Sequence, residues 1–178
     1  MTPTDERLRY PIGQPELRPE LTPAERGEMI QVLEELPSRL RGALDGLTVA
    51  QLDTPYRPGG WTVRQVVHHL PDSHLNAYVR FKKAVTEDRP TIQTYEEKDW
   101  AEQPEARDGD PEMSLRLLEA LHHRWVSWLT SLPADAWGRS LRHPEIGSMN
   151  LNQLLGMYAW HSRHHVAHVL ELRSRQDW

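Results

Sequence analysis

The sequence predicts an all-α protein, a four-helix bundle, on three observations. Apolar residues recur at helical spacing in four segments of roughly 20 residues each. Each segment begins next to a residue type that commonly caps helices, namely Thr22, Thr62, Asp110 and Asn150. No segment shows the sustained alternation of a half-buried strand. We therefore expect four long helices that bury their apolar faces against one another.

The N-terminal segment, residues 1–21, is predicted to be an extended arm that lies on the body of the bundle. It contains Pro3, Pro11, Pro15 and Pro19. Because each proline lacks an N–H and restricts the residue before it, these residues cannot form one continuous helix. The chain of 178 residues is predicted to be a single domain, with the helical bundle over 22–178.

The first helix of the bundle is predicted to begin after Thr22. The sequence Thr22-Pro-Ala-Glu25 is a capping box with proline at the first helical position. Pro37 lies inside the segment and should bend it. The apolar positions of this helix are Met29, Ile30, Leu33, Leu36, Leu40 and Leu44.

The second helix is predicted to begin near Thr62, after a loop rich in proline and glycine over 54–60. Pro71 falls inside it and should kink it beside the adjacent pair His68 and His69. The apolar positions are Val63, Val66, Val67, Leu70, Tyr78, Phe81 and Val85.

A long connection, 87–111, separates the second helix from the third. Connections of this length are often functional or contain a short helix. The third helix opens at Asp110-Pro111, and a second loop follows over 133–149, with room for a short hairpin around Gly147. The fourth helix is capped by Asn150, with Gln153 at its third position, and runs to about Arg173. The apolar face of the third helix consists of Leu115, Leu118, Leu121, Trp125, Trp128 and Leu132.

Composition limits the classes of function. The net charge is −5 with no basic stripe, so we expect no nucleic-acid partner. There is no apolar run of about 18 residues and no signal-peptide pattern at the start, so we expect no membrane partner and a cytoplasmic location. The sequence has no cysteine, so any metal site must use His, Asp or Glu.

Histidines supply the strongest chemical pattern. Six of the ten occur as adjacent pairs, and the fourth helix carries two pairs spaced by four, His161/His165 and His164/His168. Imidazoles four residues apart lie one turn apart on one face and can share a metal. On a helical wheel His161 and His165 lie closer to the apolar face than His164 and His168 do, so they are the predicted inward pair.

A third ligand must come from another helix, because a catalytic zinc site usually has three protein ligands and an open position. The candidates are His69 and His74, with His122 behind them. His74 lies nearer the apolar centre of its helix, whereas His69 lies at the edge of the apolar stripe. The same flank as His69 carries Gln65, Asp72 and Asn76 and resembles one wall of a polar cavity. Periodicity alone leaves this choice open.

Several separated motifs resemble the DinB/YfiT-like family of metal-dependent hydrolases. They are Tyr10-Pro-Ile-Gly13, Thr54-Pro-Tyr56, Gly60-Trp-Thr-Val-Arg-Gln-Val-Val-His-His69 with Asp72-Ser-His74, Tyr95-Glu-Glu-Lys98, Tyr158-Ala-Trp-His161 and His164-His165. The resemblance implies a four-helix bundle that is often a homodimer. It also implies one divalent ion, zinc or nickel, held by one histidine of the second helix and a pair spaced by four in the last. Carried over, the implied ligands are His69, His161 and His165.

The function expected from these residues is metal-dependent hydrolysis of a small-molecule substrate, with Asp72 as the candidate catalytic group that transfers a proton. The wider superfamily also contains transferases that join a low-molecular-weight thiol such as bacillithiol to electrophiles, which is the main alternative. A non-catalytic, metal-binding stress-response protein is the third. Glu96, Glu97 and Asp99 of the long connection could reach the site, but we expect them to form a solvated loop.

Overall fold

The computed structural model describes residues 3–178. Four of its helices are long and four are short. In chain order they are α1 (Pro3–Arg9), α2 (Pro23–Leu44), α3 (Val49–Leu52), α4 (Val63–Thr86), α5 (Glu97–Ala101), α6 (Pro104–Asp108), α7 (Pro111–Thr130) and α8 (Leu151–Gln176). A 3₁₀ helix (Ala134–Gly138) and the strands β1 (Ser140–His143) and β2 (Gly147–Asn150) lie between α7 and α8.

The predicted helix starts are confirmed by their capping hydrogen bonds. At α2 the Thr22 hydroxyl accepts from the Glu25 N–H, while the Glu25 carboxylate accepts from the Thr22 N–H. The same reciprocal pairing occurs at the start of α4 and of α8, and an Asp110 carboxylate oxygen accepts the Glu112 N–H at α7. Each cap satisfies backbone N–H groups that have no partner inside the helix.

The four long helices confirm the predicted bundle. Helices α2 and α4 each pack mainly against α7 and α8, so the four form a ring. Consecutive long helices α2 and α4 therefore lie diagonally across the bundle. This arrangement makes α4 and α8 neighbours, although they are far apart in sequence.

Two apolar clusters fill the bundle, and histidines lie between them. One cluster includes Phe81, Trp125 and Leu155, and the other includes Leu70 and Leu118. Along α4, α7 and α8 alike, the residues of one cluster are followed by histidines and then by residues of the other. We call these side chains the histidine layer: His69, His74, His122, His161 and His165.

The N-terminal arm departs from the prediction, since Pro3–Arg9 form a helix and only the residues after it are extended. The prediction of an extended 1–21 was wrong here because Pro3 opens the helix, where proline is tolerated, and the next proline is Pro11. Residues 1 and 2 lie outside the described part. The arm does lie on the body: the Trp160 indole N–H donates to the Gly13 carbonyl at 3.0 Å.

The two predicted loops both contain short elements. The connection after α4 holds α5 and α6, each of about one turn. Strands β1 and β2 form the hairpin expected around Gly147, antiparallel and in register from Ser140 opposite Asn150 to His143 opposite Gly147. Gly147 has a φ of 90°, which only glycine adopts without strain. Within residues 3–178, no helix combines the length and apolar character that crossing a bilayer requires.

Candidate metal centre

Three histidines from two helices converge at one point in the histidine layer. His69 on α4 and His161 and His165 on α8 each offer one ring nitrogen, and these nitrogens lie within 4.8 Å of one another. These are the three residues that the sequence analysis proposed as ligands. The convergence follows from the packing of α4 against α8 and from the spacing of four between His161 and His165.

The separation of the ring nitrogens fits a small divalent cation. The Nε2 atoms of His69 and His161 are 3.2 Å apart. Two nitrogens bound to zinc at about 2.1 Å in tetrahedral geometry would be about 3.4 Å apart. The His165 ring lies 4.5 Å from that of His161 between centroids, and one of its ring nitrogens completes the group of three. The arrangement therefore suits a three-nitrogen site.

The electrostatics of the site keep its imidazoles neutral. Burial lowers the pKa of His69 to about 4. Burial also places the pKa values of His161 and His165 well below the ordinary range, and the neighbouring imidazoles lower them further. At pH 7 the rings therefore carry lone pairs rather than positive charge. Neutral imidazole is the form that binds zinc, nickel and other borderline metals.

A cavity of about 490 Å³ opens onto the three histidines. Trp61 lines it with its ring 4.7 Å from that of His69, and Arg57 and Lys98 add positive charge to the wall. Arg9 and Tyr10 bring the N-terminal arm to the cavity as well. The site thus has protein ligands on one side and space for a small molecule on the other.

The carboxylates that line this cavity come from the long connection. Glu97 and Glu102 both lie in its wall, and removal of surrounding water raises the pKa of Glu97. Asp72 is not among the lining residues; it is half-buried on α4, where burial and the charge of Glu105 raise its pKa to about 6. Asp72 therefore does not line the cavity. Glu97 is exposed, as expected for a solvated loop, and it nevertheless reaches the cavity wall.

Hydrogen bonds from α4 hold the connection over the site. The Gln65 amide donates to the Ala101 carbonyl at 2.7 Å and to the Glu102 carboxylate at 3.1 Å. The Arg64 guanidinium donates to the Gly109 carbonyl at 2.8 Å. These contacts fix α5 and α6 beside the cavity, so Glu102 is positioned by the same helix that carries His69.

The second pair on α8, His164 and His168, also lines the cavity but does not belong to the group of converging ring nitrogens. His164 stacks on Trp160 with centroids 4.2 Å apart, and His168 stacks on Tyr56 at 3.9 Å. The helical wheel placed this pair away from the core and missed its burial, because the N-terminal arm covers it: His168 Nε2 donates to the Arg9 carbonyl.

Comparison with known proteins identifies several similar sequences. The family model described as "DinB superfamily" matches residues 32–169. The "Putative metal-dependent hydrolase YfiT" of Bacillus subtilis (strain 168) is 47% identical over 176 residues, covering 98% of this chain and 99% of the relative. A "Putative metal-dependent hydrolase" of Bacillus cereus (strain 03BB102) is 50% identical over 171 residues, covering 96% and 98%.

Solved structures similar to this one include two four-helix bundles. The structure of YfiT from Bacillus subtilis, described as a probable metal-dependent hydrolase with an unusual four-helix bundle topology, superimposes with a TM-score of 0.95. It is 47% identical, and the match covers 97% of this chain and 99% of that one. TT2238, a four-helix bundle protein, matches with a TM-score of 0.54 at 20% identity and covers 86% and 99%. The second likeness concerns the fold alone.

Proposed function

The chain belongs to the DinB superfamily, and from this premise we propose that it is a metal-dependent hydrolase whose single divalent ion is held by His69, His161 and His165. The observation that carries the proposal is the convergence of three neutral ring nitrogens within 4.8 Å at the floor of an open cavity. A closed site with four protein ligands would instead be structural.

The chemistry that such an ion supplies is Lewis acidity, which acidifies water and polarises a carbonyl. The protein contributes the surroundings. The three uncharged ligands would leave the positive charge of the ion uncompensated, and the ring of Trp61 gives part of the cavity wall an apolar surface. The wall carries three cations, Arg9, Arg57 and Lys98, against the two carboxylates Glu97 and Glu102, and this excess of positive charge suits a substrate that carries negative charge.

Glu97 is a better candidate than Asp72 for the group that transfers a proton in this reaction. Glu97 lines the cavity and its raised pKa makes the carboxylate a stronger base than an ordinary glutamate. We also propose that the ion is zinc or nickel and that the substrate is a small molecule. The proposal includes neither nucleic acid nor a membrane as a partner. A homodimer is proposed on the same basis of family resemblance.

One feature of the cavity favours a second candidate function. A low-molecular-weight thiol with acidic groups, such as bacillithiol, would meet the positive charges of Arg9, Arg57 and Lys98 at the cavity wall. A metal-dependent S-transferase would use the same three histidines, since the attacking group is the thiolate. No cysteine of the protein is required.

The experiment that tests the proposal compares wild-type protein with His69→Ala and with the matched control His68→Ala. His68 is equally buried and adjacent in sequence, but its ring bonds to Ser114 on the other side of α4. Elemental analysis should find about one ion per chain in the wild type and the control, and none in His69→Ala.

The zinc-loaded protein is then incubated with a panel of esters and amides, and with an electrophile in the presence and absence of bacillithiol. Thiol-independent cleavage that His69→Ala abolishes supports the hydrolase. Conjugation that requires the thiol supports the transferase instead. Stoichiometric metal without either reaction would overturn both and leave the metal-binding stress-response protein.

A further inference from the structure

Two histidines of the histidine layer lie behind the candidate ligands and have no place in the proposed chemistry. His74 on α4 is 0% exposed and His122 on α7 is 1% exposed. Their rings continue a line of contacts that starts at His161: His161 Nδ1 is 3.0 Å from His74 Nε2, and His74 Nδ1 is 2.8 Å from His122 Nε2. The line ends where His122 Nδ1 meets the Leu33 carbonyl oxygen on α2.

Pro37 explains why the Leu33 carbonyl is available. In an α-helix the carbonyl of residue 33 would accept from the N–H of residue 37. Pro37 lies inside α2 and has no N–H, so this carbonyl loses its helical donor. Leu33 is also fully buried, at 0% exposed, so water cannot replace the missing donor at its carbonyl. His122 supplies the missing hydrogen bond.

The carbonyl at the end of the line fixes the direction of every hydrogen bond in it. A carbonyl oxygen only accepts, so His122 must carry its proton on Nδ1 and is left with a lone pair on Nε2. His74 must then donate from Nδ1 and accept at Nε2. The proton of His161 is consequently on Nδ1, which leaves its Nε2 with a lone pair directed at His69 and the candidate metal position.

We propose that His74 and His122 are positioning residues that, together with the Leu33 carbonyl, hold His161 in the Nδ1–H tautomer and so present its Nε2 lone pair to the metal. The opposite direction would place a proton on His161 Nε2 and point a lone pair of His122 at the Leu33 carbonyl. The inference rests on the proposed metal site, but it is independent of the reaction that the metal performs.

The tautomer is measured on metal-free wild-type protein by ¹⁵N-detected or long-range ¹H–¹⁵N NMR of the histidine rings. We expect His161, His74 and His122 all to show a protonated Nδ1 and an unprotonated Nε2. A protonated Nε2 on His161 in the metal-free protein would overturn the proposal. This measurement needs neither a substrate nor a variant.

The contribution to metal binding is measured with two substitutions at one position. His122→Leu removes every polar group, whereas His122→Gln keeps a carbonyl that can accept from His74 Nδ1. The Gln amide N–H can also donate to the Leu33 carbonyl, whereas Leu can form neither hydrogen bond. Outer partners of metal-bound histidines commonly change metal affinity by about 10- to 100-fold. We expect His122→Leu to raise the zinc dissociation constant about 10-fold and His122→Gln to restore most of the loss.

His68→Leu serves as the control for burial alone, because His68 is a buried histidine of α4 that takes no part in the line. It should lower thermal stability without changing zinc affinity. Equal zinc affinities in wild type and His122→Leu would overturn the proposal, as would equal losses in the Leu and Gln variants. If the variants fail to fold, the NMR result on the wild type decides. Absence of zinc binding by the wild type would refute the metal site itself, whereas zinc binding combined with a protonated His161 Nε2 would refute only this inference.

Discussion

At the scale of single residues, the sequence separates the candidate ligands of α8 from their neighbours but does not choose between His69 and His74. The wheel ranks residues by distance from the apolar centre, and it correctly indicates that His74 is the more deeply buried of the two. A metal site beside a cavity would lie away from that apolar centre, so the candidate ligand is His69, at the edge of the apolar stripe. Only the family resemblance pointed to His69, which the structure places next to His161.

The two carboxylates offer a prediction at this scale. In zinc-loaded protein with a substrate found in the assays above, Glu97→Gln should lower kcat about 10- to 100-fold more than Asp72→Asn, because only Glu97 lines the cavity. Initial rates across pH 5–9 measure both. A larger loss in Asp72→Asn would restore the role that the sequence analysis gave it.

The ligands themselves give a second residue-scale prediction. His165→Ala should abolish retention of the ion after dialysis, because two imidazoles hold a divalent cation far more weakly than three. His123→Ala is a suitable comparison, since His123 is exposed on α7 and away from the cavity. Elemental analysis of both proteins, purified side by side, makes the comparison. Full metal content in His165→Ala would contradict the assignment.

At the scale of elements, the starts of the long helices could be predicted because each is specified locally. The caps at Thr22, Thr62 and Asn150 need only the residue three positions later. Helices α5 and α6 could not be predicted because a five-residue helix is too short to show periodicity. The sequence analysis named Glu97 as a residue that could reach the site, but it did not single out Glu102, which follows α5.

Pro37 gives a prediction that belongs to the element. Pro37→Ala restores an N–H that competes with His122 for the Leu33 carbonyl, and it removes a residue that costs about 3 kcal/mol in an ordinary helix interior. We expect the metal-free protein to become more stable to urea while zinc affinity falls several-fold. The same protein preparation serves for both measurements. Unchanged zinc affinity would show that the carbonyl serves both donors.

At the scale of the whole molecule, buried neutral histidines make the fold sensitive to acid. The pKa of His69 and of His122 is lowered from 6.5 to about 4 by burial. Below pH 6.5 the unfolded chain binds protons that the folded chain does not, so stability is full above pH 6.5 and falls as the pH decreases toward 4. Each such histidine contributes about 1.4 kcal/mol per pH unit.

Asp72 and Glu97 act in the opposite direction, because both pKa values are raised, that of Asp72 from 3.8 to about 6, but they are two groups against several histidines. Urea unfolding with a chelator present should therefore give a markedly lower free energy of unfolding at pH 5 than at pH 7.5. Equal stability at the two pH values would contradict the burial of neutral imidazoles.

The diagonal placement of α2 and α4 has a consequence for the order of events during synthesis. His69 leaves the ribosome 92 residues before His161, and the two meet only when α8 packs against α4. A nascent chain that ends before His165 does not contain all three candidate ligands. The proposed three-histidine site can therefore bind its ion only after α8 has been synthesised as far as His165.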